Sequence, residues 1–165
     1  MSIPPVPARS RPIPPDPARN GDGRAKLCPM SQTPPTSLRL DPLLHPGERD
    51  RFTAMCRTAS ASDLQAMAPL IGEHLQRART AAGNRRSVDV DTAERVALSL
   101  HELLDTISDY TAEQRALLRG AITYFAQSDD GEDDLDSVIG FDDDARITSA
   151  VADALGRPDL IVDLP

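Results

Sequence analysis

Apolar residues between positions 48 and 158 recur at spacings of three and four, which is the period of one face of an α-helix. The longest such series contains Val96, Leu100, Leu103, Leu104 and Ile107. Asp91 precedes it, with Glu94 three residues later, and this spacing is typical of a capping box at a helix start. A helix is therefore predicted from Asp91, and the chain as a whole is predicted to be all-α.

Two helices are predicted before this one. The first follows Pro46, and Phe52, Met55 and Cys56 mark its apolar face. The second follows Ser60 or Ser62, either of which can cap it. Its apolar stripe contains Leu64, Met67, Leu70, Ile71 and Leu75. Because Pro69 lies inside this stripe, a kink or a later helix start is expected there.

Two more helices are predicted towards the C-terminus. Thr111 and Gln114 repeat the capping-box spacing after a short turn, so this helix and the one before it are expected to pack as an antiparallel hairpin. The helix that starts after Thr111 is predicted to bury Leu117, Leu118, Ala121, Ile122 and Phe125. The last helix is predicted to be capped by Asp142 or Asp143 and to stop at Gly156. Residues 160–164 are apolar enough to pack back on a small bundle of four or five helices.

Residues 1–46 lack this periodicity and hold twelve of the 15 prolines. Such a composition predicts a disordered Pro/Arg-rich tail, followed by a helical domain over residues 47–165. The tail is interpreted as a ligand for Pro-recognition domains, as a basic tether, or as an extension without a role. Met30 offers an alternative start, which leaves open whether residues 1–29 are translated.

Composition excludes several functional classes. The net charge of -8 argues against nucleic-acid binding, since phosphate contacts need clustered Lys and Arg. The N-terminus has no signal-peptide pattern, and no apolar run is long enough to span a membrane. The two cysteines have no metal-ligand or disulfide spacing. A cytoplasmic protein without membrane contact is therefore expected, and the preference for Arg over Lys indicates a bacterial origin.

The most unusual stretch is residues 128–144, here called the acidic loop. It carries nine carboxylates and no basic residue, but their spacing is not that of an EF-hand. Hard divalent cations prefer carboxylate oxygens, which makes four residues candidate metal ligands: Asp130, Asp134, Asp143 and Asp144. The alternative is a solvated loop whose last carboxylates cap the following helix.

No motif in the sequence points to catalysis. Phosphate-binding loops, nucleophile elbows and dinucleotide fingerprints are absent from it. His45, His74 and His101 lie far apart and have no metal-ligand spacing. No catalytic residue and no cofactor are assigned, apart from the divalent cation considered above, and the protein is expected not to be an enzyme.

The C-terminal third contains a series of residues at fixed spacings: Tyr124, Phe125, Asp130, Asp134, Gly140, Asp143, Asp144 and Ala145. This series resembles the pattern of the YkvA-like bacterial domain of unknown function. The family has prolines where this chain has Ser128, Asp133 and Ser137. The resemblance implies a helical hairpin around an Asp-rich turn. The family's loop is commonly apolar and membrane-associated, whereas this one is too charged to enter lipid.

These observations favour a non-enzymatic, soluble interaction or regulatory module. In this interpretation the acidic loop faces a protein partner with a basic surface. The alternative is a helical domain that binds a divalent cation at a structural or hydrolytic site in the loop. A helix-capping scaffold without a ligand is the third possibility.

Overall fold

The structure is a computed structural model that describes residues 38–84, 88–127 and 140–164. This part of the chain forms α-helices and two short 3-10 turns, and it contains no strand. The helices are α1 (Pro46–Met55), α2 (Ala61–Gln65), α3 (Ala68–Asn84), α4 (Val90–Asp105), α5 (Ala112–Ala126) and α6 (Asp142–Ala154). The predicted all-α class and small bundle are confirmed. Residues 1–37 of the predicted tail lie outside the described residues.

The core is mainly aliphatic, with Phe52, Phe125 and Phe141 also fully buried, and α4 and α5 supply much of it. All five residues of the predicted α4 stripe are buried, and so are the five predicted for α5. However, α4 packs chiefly against α3 and α6, whereas α5 packs chiefly against α1 and α6. The predicted α4–α5 hairpin is therefore not a principal packing pair. The 3-10 turn Ile107–Asp109 joins the two helices, and each of them finds its main partners elsewhere.

The start of α5 has the predicted cap, whereas that of α4 is shifted by two residues. The Thr111–Gln114 capping box of α5 is present, with Thr111 Oγ1 accepting from the Gln114 amide at 3.2 Å. For α4 the cap is Asp89 rather than Asp91, and its Oδ1 accepts from the Thr92 amide at 3.1 Å. Glu94 has no capping role and instead forms an ion pair of 2.8 Å with Arg79 on α3.

The expected break at Pro69 is present. Helix α2 ends at Gln65, and α3 begins at Ala68, so that Pro69 occupies the first turn of α3. Proline is tolerated there because the first amides of a helix have no intrahelical acceptor. The buried face of α3 differs from the predicted stripe, since Leu70 is 41% exposed and His74 is only 1% exposed.

The last helix ends as predicted but begins differently. Gly156 has φ +76°, and the amides of Gly156 and Arg157 donate to Asp153 O and Ala152 O, which is the Schellman arrangement. At the start of α6, neither Asp142 nor Asp143 is the cap. The N-cap position belongs to Phe141, which makes no side-chain capping bond, and both aspartates lie in the first helical turn.

The segment after α6 packs back on the bundle, as predicted. Val162 is buried, and Ser99 Oγ on α4 donates to Leu160 O at 2.8 Å. Arg95 Nη1 donates to Asp163 O at 2.7 Å, also from α4. On the α6 side, the Val162 amide donates to Ser149 Oγ at 3.0 Å. Residues 160–163 therefore bind to both α4 and α6.

The packed part of the chain extends further towards the N-terminus than residue 47. Leu44 is only 3% exposed, and Asp41 forms an ion pair of 2.6 Å with Arg146 on α6. Arg49 donates to the carbonyl oxygens of Asp41 and Leu44 at 2.7 and 3.1 Å. Residues 38–46, which the sequence assigned to the tail, therefore belong to the packed domain. Their prolines concealed the short apolar run that contains Leu44.

None of the helices in the described ranges is long and apolar enough to cross a membrane.

Candidate functional site

A group of five polar side chains, of which only Arg77 is exposed, lies near the end of α5 and the start of α6, the helices on either side of residues 128–139 in the sequence. We call this group the loop base and define it as His74, Arg77, Tyr124, Asp143 and Asp144. They come from α3, from the end of α5 and from the first turn of α6. Burial shifts the pKa of three of its members, His74, Tyr124 and Asp143, so we consider it the candidate site.

A hydrogen bond between α5 and α6 lies at the centre of the loop base. Tyr124 Oη donates to Asp143 Oδ2 at 2.6 Å, and Tyr124 is 7% exposed. Burial raises the pKa of the Asp143 carboxyl, and the hydrogen bond from Tyr124 only partly opposes this effect. Burial and the neighbouring Asp143 carboxylate also raise the pKa of Tyr124. The phenol therefore remains protonated and serves as a donor at neutral pH.

Further charges surround this pair. Asp144 is 5% exposed, and its negative charge contributes to the raised pKa of Tyr124. The negative charge of Glu48 on α1 also raises the pKa of both Tyr124 and Asp143. Arg51, also on α1, places its guanidinium carbon 5.8 Å from the centre of the Tyr124 ring, within cation–π range. Three carboxylates thus lie around a single phenol.

His74 is the member of the loop base that packs in an aromatic cluster. Its ring centre is 4.7 Å from that of Phe125 and 5.9 Å from that of Phe141, in edge-to-face orientation. Burial, together with the nearby Arg77 guanidinium, lowers the pKa of His74 to about 4. The imidazole is therefore neutral at physiological pH and packs as a core residue.

Arg77 connects this histidine to the end of α5. Its Nη2 lies 3.1 Å from His74 Nδ1 and donates to Ala126 O at 3.2 Å. Because Arg77 cannot accept, His74 Nδ1 is the acceptor, and the ring proton lies on Nε2. Ala126 is the last residue of α5, so Arg77 is bonded to the C-terminal end of this helix, just before the acidic loop begins in the sequence.

The structure places two of the four candidate metal ligands. Asp143 and Asp144 are neighbours in the first turn of α6, where the helix dipole favours negative charge. Asp130 and Asp134 lie outside the described residues. Within those residues, no group of three or more His, Cys, Asp or Glu side chains is arranged to hold a metal ion. Asp143 and Asp144 alone do not make a closed site.

The sequence reasoning missed His74 and the Tyr124–Asp143 bond. His74 lies three residues after Ile71 and four before Ala78, and both of these are fully buried. This spacing was a readable signal that His74 shares the inward face of α3. The Tyr124–Asp143 bond gave no such signal, because it joins residues 19 positions apart. His101, by contrast, is exposed, as expected of a surface helix position.

Chemically, the loop base supports binding and positioning. A protonated phenol, a neutral buried imidazole and an arginine bonded to a backbone carbonyl hold the loop ends in place.

Comparison with protein-family models, with curated proteins and with solved structures finds no match to this chain.

Proposed function

We propose that this protein is a non-enzymatic, cytoplasmic interaction or regulatory module of bacterial origin, in which the acidic loop docks a partner protein with a basic surface. The observation that carries the proposal is the anchoring of both loop ends. Tyr124 holds the α6 end through Asp143, and Arg77 holds the α5 end through Ala126. Between these two anchors, residues 128–139 carry six carboxylates and no basic residue.

Anchoring matters because binding costs conformational entropy. A charged segment whose two ends are fixed loses less freedom on binding than one attached at a single end. Clustered like charge also attracts a partner of opposite charge, which raises the association rate more than the affinity. The resemblance to YkvA-like domains, which implies a helical hairpin around an Asp-rich turn, is compatible with this arrangement.

A basic peptide provides the direct test. Calorimetric titration of the full chain with an oligo-arginine peptide is expected to show binding that weakens steeply as NaCl rises from about 0.05 to 0.3 M, where screening is strong. Replacing four loop aspartates with asparagine should abolish it: Asp129, Asp130, Asp133 and Asp134.

The matched control removes the same charge elsewhere, at four exposed carboxylates: Asp50, Glu73, Asp105 and Glu113. This control variant should retain most of the binding. Equal losses in the two variants would show that only the net charge matters, and the proposal of a docking loop would then be wrong.

The alternative is a divalent-cation site formed by Asp130, Asp134, Asp143 and Asp144. One observation favours it: the pKa of Asp143 is raised, so its charged form is disfavoured and a cation would relieve this cost. Millimolar Mg²⁺ or Ca²⁺ would then stabilise the fold saturably. The gain should vanish when Asp143 and Asp144 are replaced by asparagine. A rise matched by NaCl of equal ionic strength would exclude this alternative.

A further inference from the structure

A groove of about 300 Å³ lies between α1 and α5. Arg51, one of its lining residues, also lies over the ring of Tyr124 in the loop base. As the structure describes it, every charged side chain that lines the groove is an arginine, namely Arg51, Arg57 and Arg119. Thr123 on α5 and Gln127, the residue after α5, add a hydroxyl and an amide. In a chain with a net charge of -8, the guanidiniums of Arg57 and Arg119 make this groove a local positive site.

Backbone carbonyls orient two of these arginines without neutralising them. Arg57 Nε donates to Ala54 O at 3.4 Å, and Arg119 Nη1 donates to Thr58 O at 3.3 Å. Each bond uses one of the five N–H donors of a guanidinium. Within the described ranges, neither Arg57 nor Arg119 forms an ion pair. Their charges are therefore available to a ligand.

One acidic residue, Asp63, acts on Arg119 at an edge of the groove. Its negative charge acts on Arg119 through space, but its Oδ2 accepts from the Ser60 amide at 3.0 Å as part of the α2 capping box. Asp63 does not line the groove. Asp63 therefore reduces the positive potential at one edge of the groove, while the charged residues that line the groove remain basic.

We propose that this groove binds a phosphoryl group, either as a free phosphate ion or as part of a small phosphorylated molecule. The planar fork of a guanidinium matches two phosphate oxygens at once, and such charge-assisted bonds are stronger than neutral ones. The groove volume lies at the lower end of that of small-molecule sites. The proposal holds whether or not the acidic loop binds a basic partner.

If the groove arginines had a purely structural role, no phosphate binding would be expected. Arginines near the end of α1 also stabilise its terminal carbonyls through the helix dipole. Arg115 has a structural role outside the groove, since its Nε and Nη1 donate to the loop carbonyls Ala59 O and Tyr110 O at 3.3 and 2.7 Å. Arg115 is therefore the matched control for Arg57 and Arg119.

The experiment is calorimetric titration of the full chain with orthophosphate, pyrophosphate and glycerol 3-phosphate, with NaCl of equal ionic strength as the reference. Saturable binding is expected for at least one phosphate. Arg57 is exposed, so Arg57→Gln should leave the fold intact while weakening binding at least about tenfold. Arg119→Gln should have the same effect, and Arg115→Gln should bind as the parent does.

The three phosphate ligands also show whether the groove prefers a free phosphate ion or a phosphorylated small molecule. Tighter binding of orthophosphate or pyrophosphate indicates a free ion, whereas tighter binding of glycerol 3-phosphate indicates a phosphorylated small molecule. Heats that match those of NaCl, or unchanged affinity in Arg57→Gln, would overturn the proposal. If Arg119→Gln does not fold, Arg57→Gln decides the question alone. The Nε–H signals of Arg57 in NMR spectra give a second readout that should shift only with the phosphates.

Discussion

The hydroxyl of Tyr124 lies 2.6 Å from Oδ2 of Asp143, and this hydrogen bond joins the last turn of α5 to the first turn of α6. The acceptor is a carboxylate in a largely buried environment, where an oxygen without a hydrogen-bond donor would destabilise the folded state. The bond therefore stabilises the pairing of two helices whose connection runs through the acidic loop.

Tyr124→Phe should lower the free energy of unfolding by about 1–3 kcal/mol, because it leaves the Asp143 carboxylate without this donor. Since the hydrogen bond lowers the pKa of Asp143, the variant should also raise that pKa further. Urea unfolding and an NMR titration of the carboxyl carbon measure the two effects. In a double-mutant cycle with Asp143→Asn, the two losses should not add. Additive losses would mean that the bond contributes nothing.

Acid should destabilise the protein through His74. The folded-state pKa is about 4, below the ordinary 6.5, so the unfolded chain takes up the proton first as pH falls. Unfolding becomes easier between pH 6.5 and 4, by up to about 3 kcal/mol. Asp143 acts in the opposite direction, because its raised pKa lets the folded state bind a proton before the unfolded state does.

The variant His74→Gln isolates the histidine contribution, since glutamine can still accept from Arg77 but does not titrate. Its stability should vary less between pH 6.5 and 4 than that of the parent, as measured by chemical denaturation at each pH. The control His101→Gln changes an exposed histidine and should keep the parent's pH dependence. Identical pH profiles for His74→Gln and the parent would contradict the assignment.

Gly120 is required by the close approach of α1 and α5. A Cβ at this position would lie 2.6 Å from Cys56 Sγ and 3.0 Å from Phe52 Cε2. Gly120→Ala should therefore destabilise the fold by about 1–3 kcal/mol, as overpacked cores do. Replacing Cys56 with alanine as well should recover part of the lost stability.

Gly72→Ala is the control for Gly120→Ala, because no atom lies within 4 Å of its added Cβ. It should stabilise α3 by about 0.5–1 kcal/mol. Thermal melts that rank the two variants in the opposite order would refute this account.

The α4 stripe makes a quantitative prediction about the core. Leu100 is fully buried, so Leu100→Ala should cost about 2–5 kcal/mol. Leu98 is on the same helix but 60% exposed, and Leu98→Ala should be close to neutral. Urea denaturation of the two variants measures the difference. Similar costs for both would mean that α4 presents a different face to the core.

The elements that the sequence predicts well are those governed by local chemistry. The α4 stripe and the Thr111–Gln114 capping box depend on residues within one or two turns, and both are present. Pro69 also sets a helix start through its own backbone geometry. Such features can be read from sequence because the residues that decide them are neighbours in the chain.

Capping by aspartate was less predictable because several candidates stand side by side. Asp89 caps α4 although Asp91 has the better-looking spacing, and Phe141 occupies the N-cap position where Asp142 or Asp143 was expected. Tertiary packing chooses among such neighbours: burying Phe141 against His74 and Phe125 fixes where α6 begins. The same packing places Asp143 beside Tyr124, and no local pattern encodes that contact.

The contact between residues 160–163 and helices α4 and α6 has a consequence for synthesis on the ribosome. Arg95 and Ser99 acquire their partners Asp163 and Leu160 only after more than 60 further residues have been translated. Until then, this side of α4 is open to solvent and to other nascent chains. Ribosome-bound chains stalled before residue 160 should therefore be more sensitive to protease around α4 than chains stalled after the same segment has left the exit tunnel.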